Sequence, residues 1–375
     1  MTTAPFAPEA ETLITGPHAQ VVKVAAAHPS WDVDIPLEVD AATLTWDESR
    51  APRVSASLSC RVPTDQDVLD LLDPRTGVRI QITAGYVSTA GVSDVHLLAD
   101  LGLRSRRVSR PGNQLQLDAA SDEALVIDGS AVQTVVKEPA EVLAILRCFV
   151  QALPSARVVI DPRVGMAASE PVDMDSVTDL WSTIDDLADR VDADVYDDGL
   201  RTFQVVPRPE LASTSAATIK VGANGTLISS DATISRDAWF NSVHLDYAWK
   251  VQVDKDTTRD VYALGLATQY TGPFGTDGNY GGNRRVYYER REVPTTGAGA
   301  QRAAEALLRR MLSRGRSYSI SAVSALWLRA GDTITVQLPT GAQARHLVAA
   351  VTFDLVAGSM DVTTRLPIDL NTLGE

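Results

Sequence analysis

GVRIQITAGYV (residues 77–87) and GDTITVQLPTG (331–341) decide how this chain of 375 residues is read. Each opens on glycine and then alternates apolar and polar residues, the period-two signature of a half-buried strand. In the first, Val78, Ile80 and Ile82 share one face and Arg79, Gln81 and Thr83 the other. Both stretches are continued in the same order. After the first come a loop, HLLADLGLRSRRV, a turn and LQLDAAS; after the second come a loop, RHLVAAVTFDLV, the Ala357-Gly358 turn and MDVTTRL. Each series therefore runs glycine, strand, loop, His-Leu, strand, turn, strand, which predicts a duplicated β module.

Between the two modules the pattern changes. EPAEVLAILRCFVQALP sets Val142, Ile145, Leu146, Phe149, Val150 and Leu153 on a helical stripe between Pro139 and Pro154. ARVVID reads as a strand, and DSVTDLWSTIDDLADRV as a second helix with Leu180, Trp181, Ile184, Leu187 and Val191 inward. DADVYDDGLRTFQVVP is a hairpin turning at Asp198-Gly199. TTGAGAQRAAEALLRRMLSRG is a third helix, with a threonine cap, Ala300, Ala303, Ala304, Leu307, Leu308, Met311 and Leu312 on its stripe, and Gly315 past its end.

The expected fold class is mainly β with α+β: two tube-like antiparallel β-barrel domains plus an inserted α+β domain. The first barrel takes residues 1–130 and the insert 131–216. Return strands over 217–250 complete the first barrel, a peripheral segment with a Gly-rich loop (270–285) and a helix fills 251–315, and the second barrel takes 316–375. DQDVLDLLD, closed by Pro74 and Gly77, is a short helical piece.

Composition excludes several functions. Hydrophobic residues make 45% and charged residues 22%, as in an ordinary globular protein. The net charge of −14 argues against a protein that grips nucleic acid, since phosphate neutralisation drives that binding, and suits a surface past which DNA slides. MTTAPFAPEAETLITG reads as no secretory leader, and no stretch approaches the roughly 18 apolar residues of a membrane span. Cys60 and Cys148, with no CxxC, read as small core residues.

Candidate chemistry reduces to packing. His18, His28, His96, His244 and His346 are scattered without ligand spacing, and HExxH and GxSxG are absent. Asp192, Asp194, Asp197, Asp198 and Gly199 resemble a calcium loop, but Tyr196 takes the third ligand position, so a polar turn is expected. Asp185, Asp186 and Asp189 fall opposite Trp181 and Ile184, on a solvated helix face and not in a glycosidase-like cleft. The arginines of 104–110, 284–291 and RRMLSRGR are expected in ion pairs between subunits. No catalytic, cofactor-binding or metal site is assigned, and no enzyme activity is expected.

GTLISSDATISRDAWFNSV, SRDAWFNSVHLDY (235–247), AEALLRRML, and AGDTITV with its closing hairpin VTFDLVAGSMDVTTRL make the chain resemble the tail-hub, or baseplate-hub, proteins of long-tailed phages, with relatives in contractile injection systems. The resemblance covers most of the chain from residue 40. It implies a homotrimeric ring at the distal end of the tail tube that joins a sixfold tube to a threefold tip. DNA passes through its lumen, so the lining should be polar and acidic or neutral. It also implies partners in the tube or distal tail protein, the tape measure and other tail-tip proteins facing the insert and the Gly-rich loop, with no membrane insertion. The end at NTLGE implies a hub without further domains. Recognition of a cell-surface polysaccharide is the alternative, and it would need aromatic platforms on exposed faces.

Overall fold

A computed structural model describes residues 6, 10–89, 91, 93–129, 137–164, 172–173, 179–222, 224–234, 237, 239–254, 257–271, 275–276, 284–313, 316–337 and 343–365. A short helix α1 (Ala10–Thr15) leads into β1 (His18–Ala27), β2 (Ile35–Leu37), β3 (Val39–Asp47) and β4 (Val54–Arg61). Helix α2 (Gln66–Leu71), capped by Asp65, then precedes the meander β5 (Arg79–Ser88), β6 (Ser93–Ser109) and β7 (Gln114–Ala120). The first unit is thus ordered β2-β1-β5-β6-β7-β4-β3.

From α3 (Glu123–Asp128) the chain enters an α+β unit. It comprises β8 (Lys137–Glu138), α4 (Glu141–Ala152), β9 (Arg157–Ile160), β10 (Val172–Asp173), α5 (Leu180–Arg190) and the hairpin β11 (Ala193–Asp197) with β12 (Thr202–Pro207). Its own core is built on Val142, Ile145, Phe149, Leu180, Ile184, Leu187 and Phe203. Gly199 takes the left-handed conformation at the turn, φ 76°. Trp181 and Leu153 are half-buried against this core, whereas Val150 is 54% exposed: the stripe of α4 is narrower than its apolar sequence.

β13 (Ala217–Lys220) and β14 (Leu227–Ile234) follow, then β15 (Ser242–Asp254), β16 (Thr257–Thr268), β17 (Val286–Arg291) and α6 (Gly297–Leu312). The chain closes with β18 (Arg316–Val323), β19 (Thr333–Gln337), β20 (Ala344–Asp354) and β21 (Ser359–Arg365). Thr296 caps α6, and all seven expected stripe residues are buried against the separate sheet β16-β15-β17. Gly315 and most of the Gly-rich loop lie outside the described residues.

The return strands of 217–250 do not complete the first unit. β13 pairs with β19, β14 with β18, and β15 joins β16 and β17. The reason lies in a repeat deeper than the meander. The second unit runs β14-β18-β21-β20-β19-β13, matching β3-β4-β7-β6-β5-β1 strand for strand in chain order. The registers agree residue by residue. Ser109–Gln114 closes one hairpin and Asp354–Ser359 the other, and each ladder then skips one residue at the same place, Arg104 and Ala349. β3 and β14 share a second bulge, at Asp40 and Ile228. Conserving both irregularities fixes the equivalence, because a bulge sets both the twist and the register of its strand.

Equivalent positions include Gly77 with Gly331, Ile80 with Ile334, Leu58 with Ile320, Trp46 with Ile234 and Phe353 with Val108. The shared His-Leu is a coincidence: the ladders place His346 over Leu101, not over His96. One difference is directional, since β1 runs antiparallel to β5 and β13 parallel to β19. The two units fuse through β3 and β20 into one 13-stranded sheet over a shared core.

Candidate functional site

Two surfaces and two buried ionic seams come out of this arrangement. The first surface is the outer face of the fused sheet. Residues directly opposite in adjacent strands share a face, so the ladders string together Ser229, Ser321, Asp361, Thr352, Thr45 and Ser55 in one row. A neighbouring row runs Asp354, Thr43, Ser57, Asp118 and Ser105. These short side chains bond to one another along the sheet. Ser57 Oγ and Ser105 Oγ donate to Asp118 at 3.0 and 2.6 Å, Thr45 and Thr352 hydroxyls meet at 3.0 Å, and Ser321 donates to Asp361. Their opposite faces carry the core, including Leu44, Leu58, Leu117, Val362 and Phe353.

Cations are few on this polar face. Arg61 and Arg365 stand at strand ends against Glu38 and Glu48, Arg104 lines the face beside Ser57 and Asp118, and Arg107 is exposed one strand from Asp118, with Asp231, Asp354 and Asp361 further along the sheet. The rest of the 104–110 cluster is dispersed. Arg104, in the bulge, pairs with Asp128 at 2.6 Å, and Arg106 points to the other side and donates to Leu69 O.

The second surface is the sheet β16-β15-β17 on its side away from α6. Tyr262, Leu264, Leu266, Val286 and Tyr288 are 42–68% exposed there, because α6 covers only the opposite face. His244 lies edge-on to Tyr288.

The carboxylates of α5 contradict the solvated-face expectation. Asp186 and Asp189 are 1% and 2% exposed, and only Asp185 faces solvent. Helix α5 is packed on both sides, by α4 and by α6, so its polar stripe is buried as well. Arg291 from β17 spans the pair, with Nη1 2.8 Å from Asp186 Oδ1 and Nη2 2.8 Å from Asp189 Oδ2. Arg190 also binds Asp186, Arg208 binds Asp189, and Tyr247 Oη donates to Asp186 at 2.5 Å. Burial alone would raise the Asp186 pKa; Arg190 and Arg291 overcome it and hold the carboxylate below its ordinary range. Periodicity could not find this seam, since a polar stripe looks alike whether water or arginine faces it.

A second seam joins the insert to the first unit. Arg53 Nη1 reaches Asp194 Oδ2 at 2.6 Å, its guanidinium lies 4.0 Å over the Tyr196 ring, and Arg79 bridges Asp100 and Asp122 at 2.6 and 2.7 Å. Glu123 accepts from the backbone N–H groups of Arg53 and Asp197 and is fully buried. Burial pushes its pKa up to about 8 and that of Asp197 up to about 6. The Asp-rich hairpin is therefore engaged by Arg53, by Arg208 and by its own turn N–H groups. Arginines expected between subunits pair within the chain instead: Arg291 as above, and Arg309 with Asp192 at 2.6 Å; Arg302, outside those clusters, pairs with Glu141 at 2.6 Å. Cys60 and Cys148 are buried, with thiol pKa values pushed by burial to about 11 and 12.

No protein-family model and no curated protein matches this sequence. Solved structures do match, over 92–94% of this chain. A tail protein from Neisseria meningitidis MC58 aligns with a TM-score of 0.63 at 14% identity, covering 92% of this chain and 96% of that one. The 43 kDa tail protein of prophage MuSo2 from Shewanella oneidensis gives 0.61 at 11% identity, covering 93% and 98%. Prophage tail protein gp18 from Listeria monocytogenes EGD-e gives 0.53 at 12% identity, covering 94% and 97%. The chain has the fold of phage tail proteins.

Proposed function

We propose that this chain is a structural tail subunit, a homotrimeric hub at the distal end of a tail tube through which DNA passes. The observation that carries the reading is the polar face. It extends across both repeats, is built of Ser, Thr and Asp bonded to one another, and sets few cations, Arg104 and Arg107 at one end, against Asp118, Asp231, Asp354 and Asp361 along the sheet. Such a surface suits a polyanion that must move past without binding. Two repeats per chain give three copies six equivalent sheets, the arithmetic needed to meet a sixfold tube with a threefold tip. The tail fold at coverage above 90% in both directions agrees with a whole-protein role of this kind.

The same reading makes the chain a scaffold and not a hydrolase. The carboxylates that would do acid–base chemistry, Asp186 and Asp189, are neutralised by buried arginines. The tube or distal tail protein, the tape measure and tail-tip proteins are its proposed neighbours. The apolar face with Tyr262 and Tyr288 supports a second reading, recognition of a cell-surface polysaccharide, which aromatic platforms favour.

Native mass measurement with negative-stain imaging of the same sample tests the first reading. A threefold ring with a central hole is expected. A monomer at every concentration, together with retention on a polysaccharide matrix that is lost in Tyr262→Ala, would transfer the case to the second.

A further inference from the structure

A cavity of about 560 Å³ lies where the first repeat, the insert and the second repeat meet. Trp46 and Arg53 reach it from the first repeat, Tyr196 and Arg208 from the insert, and Arg329 and Asp332 from the turn before β19. Two of its guanidinium groups lie flat on aromatic rings, Arg53 at 4.0 Å from the Tyr196 ring and Arg329 at 4.1 Å from the Trp46 ring. Its apolar wall includes Leu97, Leu200 and Leu211, which stay 38–40% exposed there.

The two stacked arginines differ in their counter-ions. Burial would lower the Arg53 pKa, but Asp194 overcomes it and holds it above the ordinary range. Arg329 donates only Nη1, to the carbonyls of Leu326 and Leu328 at 2.7 and 2.9 Å. Among the described residues no carboxylate pairs with it, and burial pushes its pKa down to about 10. The first repeat shows what is missing. Arg75 precedes Gly77 as Arg329 precedes Gly331, yet Arg75 is 89% exposed and pairs with Asp73 at 2.7 Å. The second repeat has Trp327 where Asp73 stands. The carboxylates around the cavity are engaged elsewhere: Asp192 by Arg208 and Arg309, Asp198 by the N–H groups of Leu200 and Thr202, and Asp332 by the backbone N–H of Arg329; Glu210 is exposed.

We propose that this cavity binds an aliphatic carboxylate, its head on Nε and Nη2 of Arg329 and its body against Leu97, Leu200 and Leu211. Nε and Nη2 form the side-on edge of the guanidinium, the fork that takes a carboxylate bidentately. Neither has a partner among the described residues, and neither is sealed from solvent. A bound carboxylate supplies Arg329 with the partner that Asp73 gives Arg75, and a buried cation is costly without one. The volume is that of a small-ligand pocket, roughly 300–1,000 Å³. An inorganic anion would leave the leucines wet, and an uncharged chain would leave Arg329 unpaired, so both halves of the ligand are needed. Bound there, the acid ties the insert to both repeats. The site does not depend on the hub reading.

Isothermal titration of the full chain compares octanoate with octanol, the same body without the charge, and with acetate, the head without the body. One octanoate per chain is expected, bound at least about tenfold more tightly than either, with a melting temperature that rises with its concentration. Arg329→Gln should lose at least about tenfold in affinity. Leu200→Asp places a carboxylate in the cavity from an exposed turn and leaves the bonds of Arg329 alone. It should lose as much with unchanged circular dichroism, and it decides the case if Arg329→Gln fails to fold. Octanol or acetate binding as well as octanoate overturns the proposal, as does wild-type affinity in Leu200→Asp. Acetyl-Leu-Leu with a free carboxylate, set against its amide, identifies the source of the acid. Tighter binding than octanoate, lost in the amide, assigns the site to a peptide's carboxyl end, and weaker binding assigns it to a free acid. No binding of either acid sinks the site.

Discussion

The two repeats have one backbone plan and opposite surroundings. In the first, β3 is an interior strand, covered by β4 and β20; in the second, its equivalent β14 is a rim. The side chains follow the surroundings: Val39-Asp-Ala-Ala-Thr-Leu-Thr-Trp46 against Leu227-Ile-Ser-Ser-Asp-Ala-Thr-Ile234. Register and bulges belong to the ladder and survive duplication, whereas side-chain size answers to what lies across the edge. A difference in burial between equivalent positions therefore follows which of the two strands the chain itself covers.

The sharpest break of this comparison is energetic. Trp46→Ala should destabilise the isolated chain by about 4 kcal/mol, as for a large buried aromatic, while Ile234→Ala changes it by less than about 0.5 kcal/mol. Denaturant unfolding of dilute protein measures both. Equal costs would mean that β14 is already covered and that the two edges do not differ.

Arginines sharpen the same contrast between covered and uncovered groups. Arg291→Ala strips Asp186 and Asp189 of a shared buried partner and should cost roughly 3 kcal/mol. Arg107→Ala, on an exposed face, should stay within about 0.5 kcal/mol in the monomer. A costly Arg107 in the unassembled chain would show that the polar face is engaged internally.

How much of this the sequence discloses depends on which face carries the signal. The meanders and α6 are legible because their stripes are apolar on one side only: Val78-Arg-Ile-Gln-Ile alternates, and Ala300 to Leu312 keeps a helical period. The β4–β18 match, Ser55-x-Ser57-Leu-Ser59 against Ser317-x-Ser319-Ile-Ser321, is present in the letters. It is obscured because the α+β unit and the β15–β17 sheet separate the copies. The β3–β14 match is not legible, since the open edge carries Ala232 and Ile234 where β3 carries Leu44 and Trp46. The polar face itself reads as ordinary solvent exposure until the ladders show its rows to be continuous. Arg291 and Asp186 lie 105 positions apart, so their seam exists only in the folded chain.

A pH series tests the seam between the insert and the first repeat. The Glu123 pKa is raised in the folded chain by burial, so the folded state holds a proton that the unfolded state has lost. Stability from this group is fully present below the unfolded value near 4.5 and is lost as pH rises to about 8, by on the order of 1 kcal/mol per unit at most. Melting temperature should therefore rise as pH falls from 8 towards 6. Glu123→Gln should flatten that slope, and an unchanged slope would place the proton uptake elsewhere, with Asp197 the next candidate.

The smallest effect tests the pair of glycines that open the two strands. Gly77 and Gly331 are equivalent and both left-handed, φ 85° and 92°, and each turn sends a carbonyl one residue later to the same ladder position, Val78 O to Leu103 N at 2.8 Å and Asp332 O to Val348 N at 2.9 Å. Alanine at either site incurs the left-handed penalty of about 1 kcal/mol. Their surroundings differ, however: a methyl at Gly77 meets nothing within 4 Å, while at Gly331 it comes within 2.9 Å of the Pro209 ring at the end of the insert. Gly331→Ala should therefore cost more than Gly77→Ala, by roughly another 1 kcal/mol of overpacking. Equal unfolding midpoints for the two variants would mean that Pro209 yields freely, and that the insert is not braced on the second repeat at that turn.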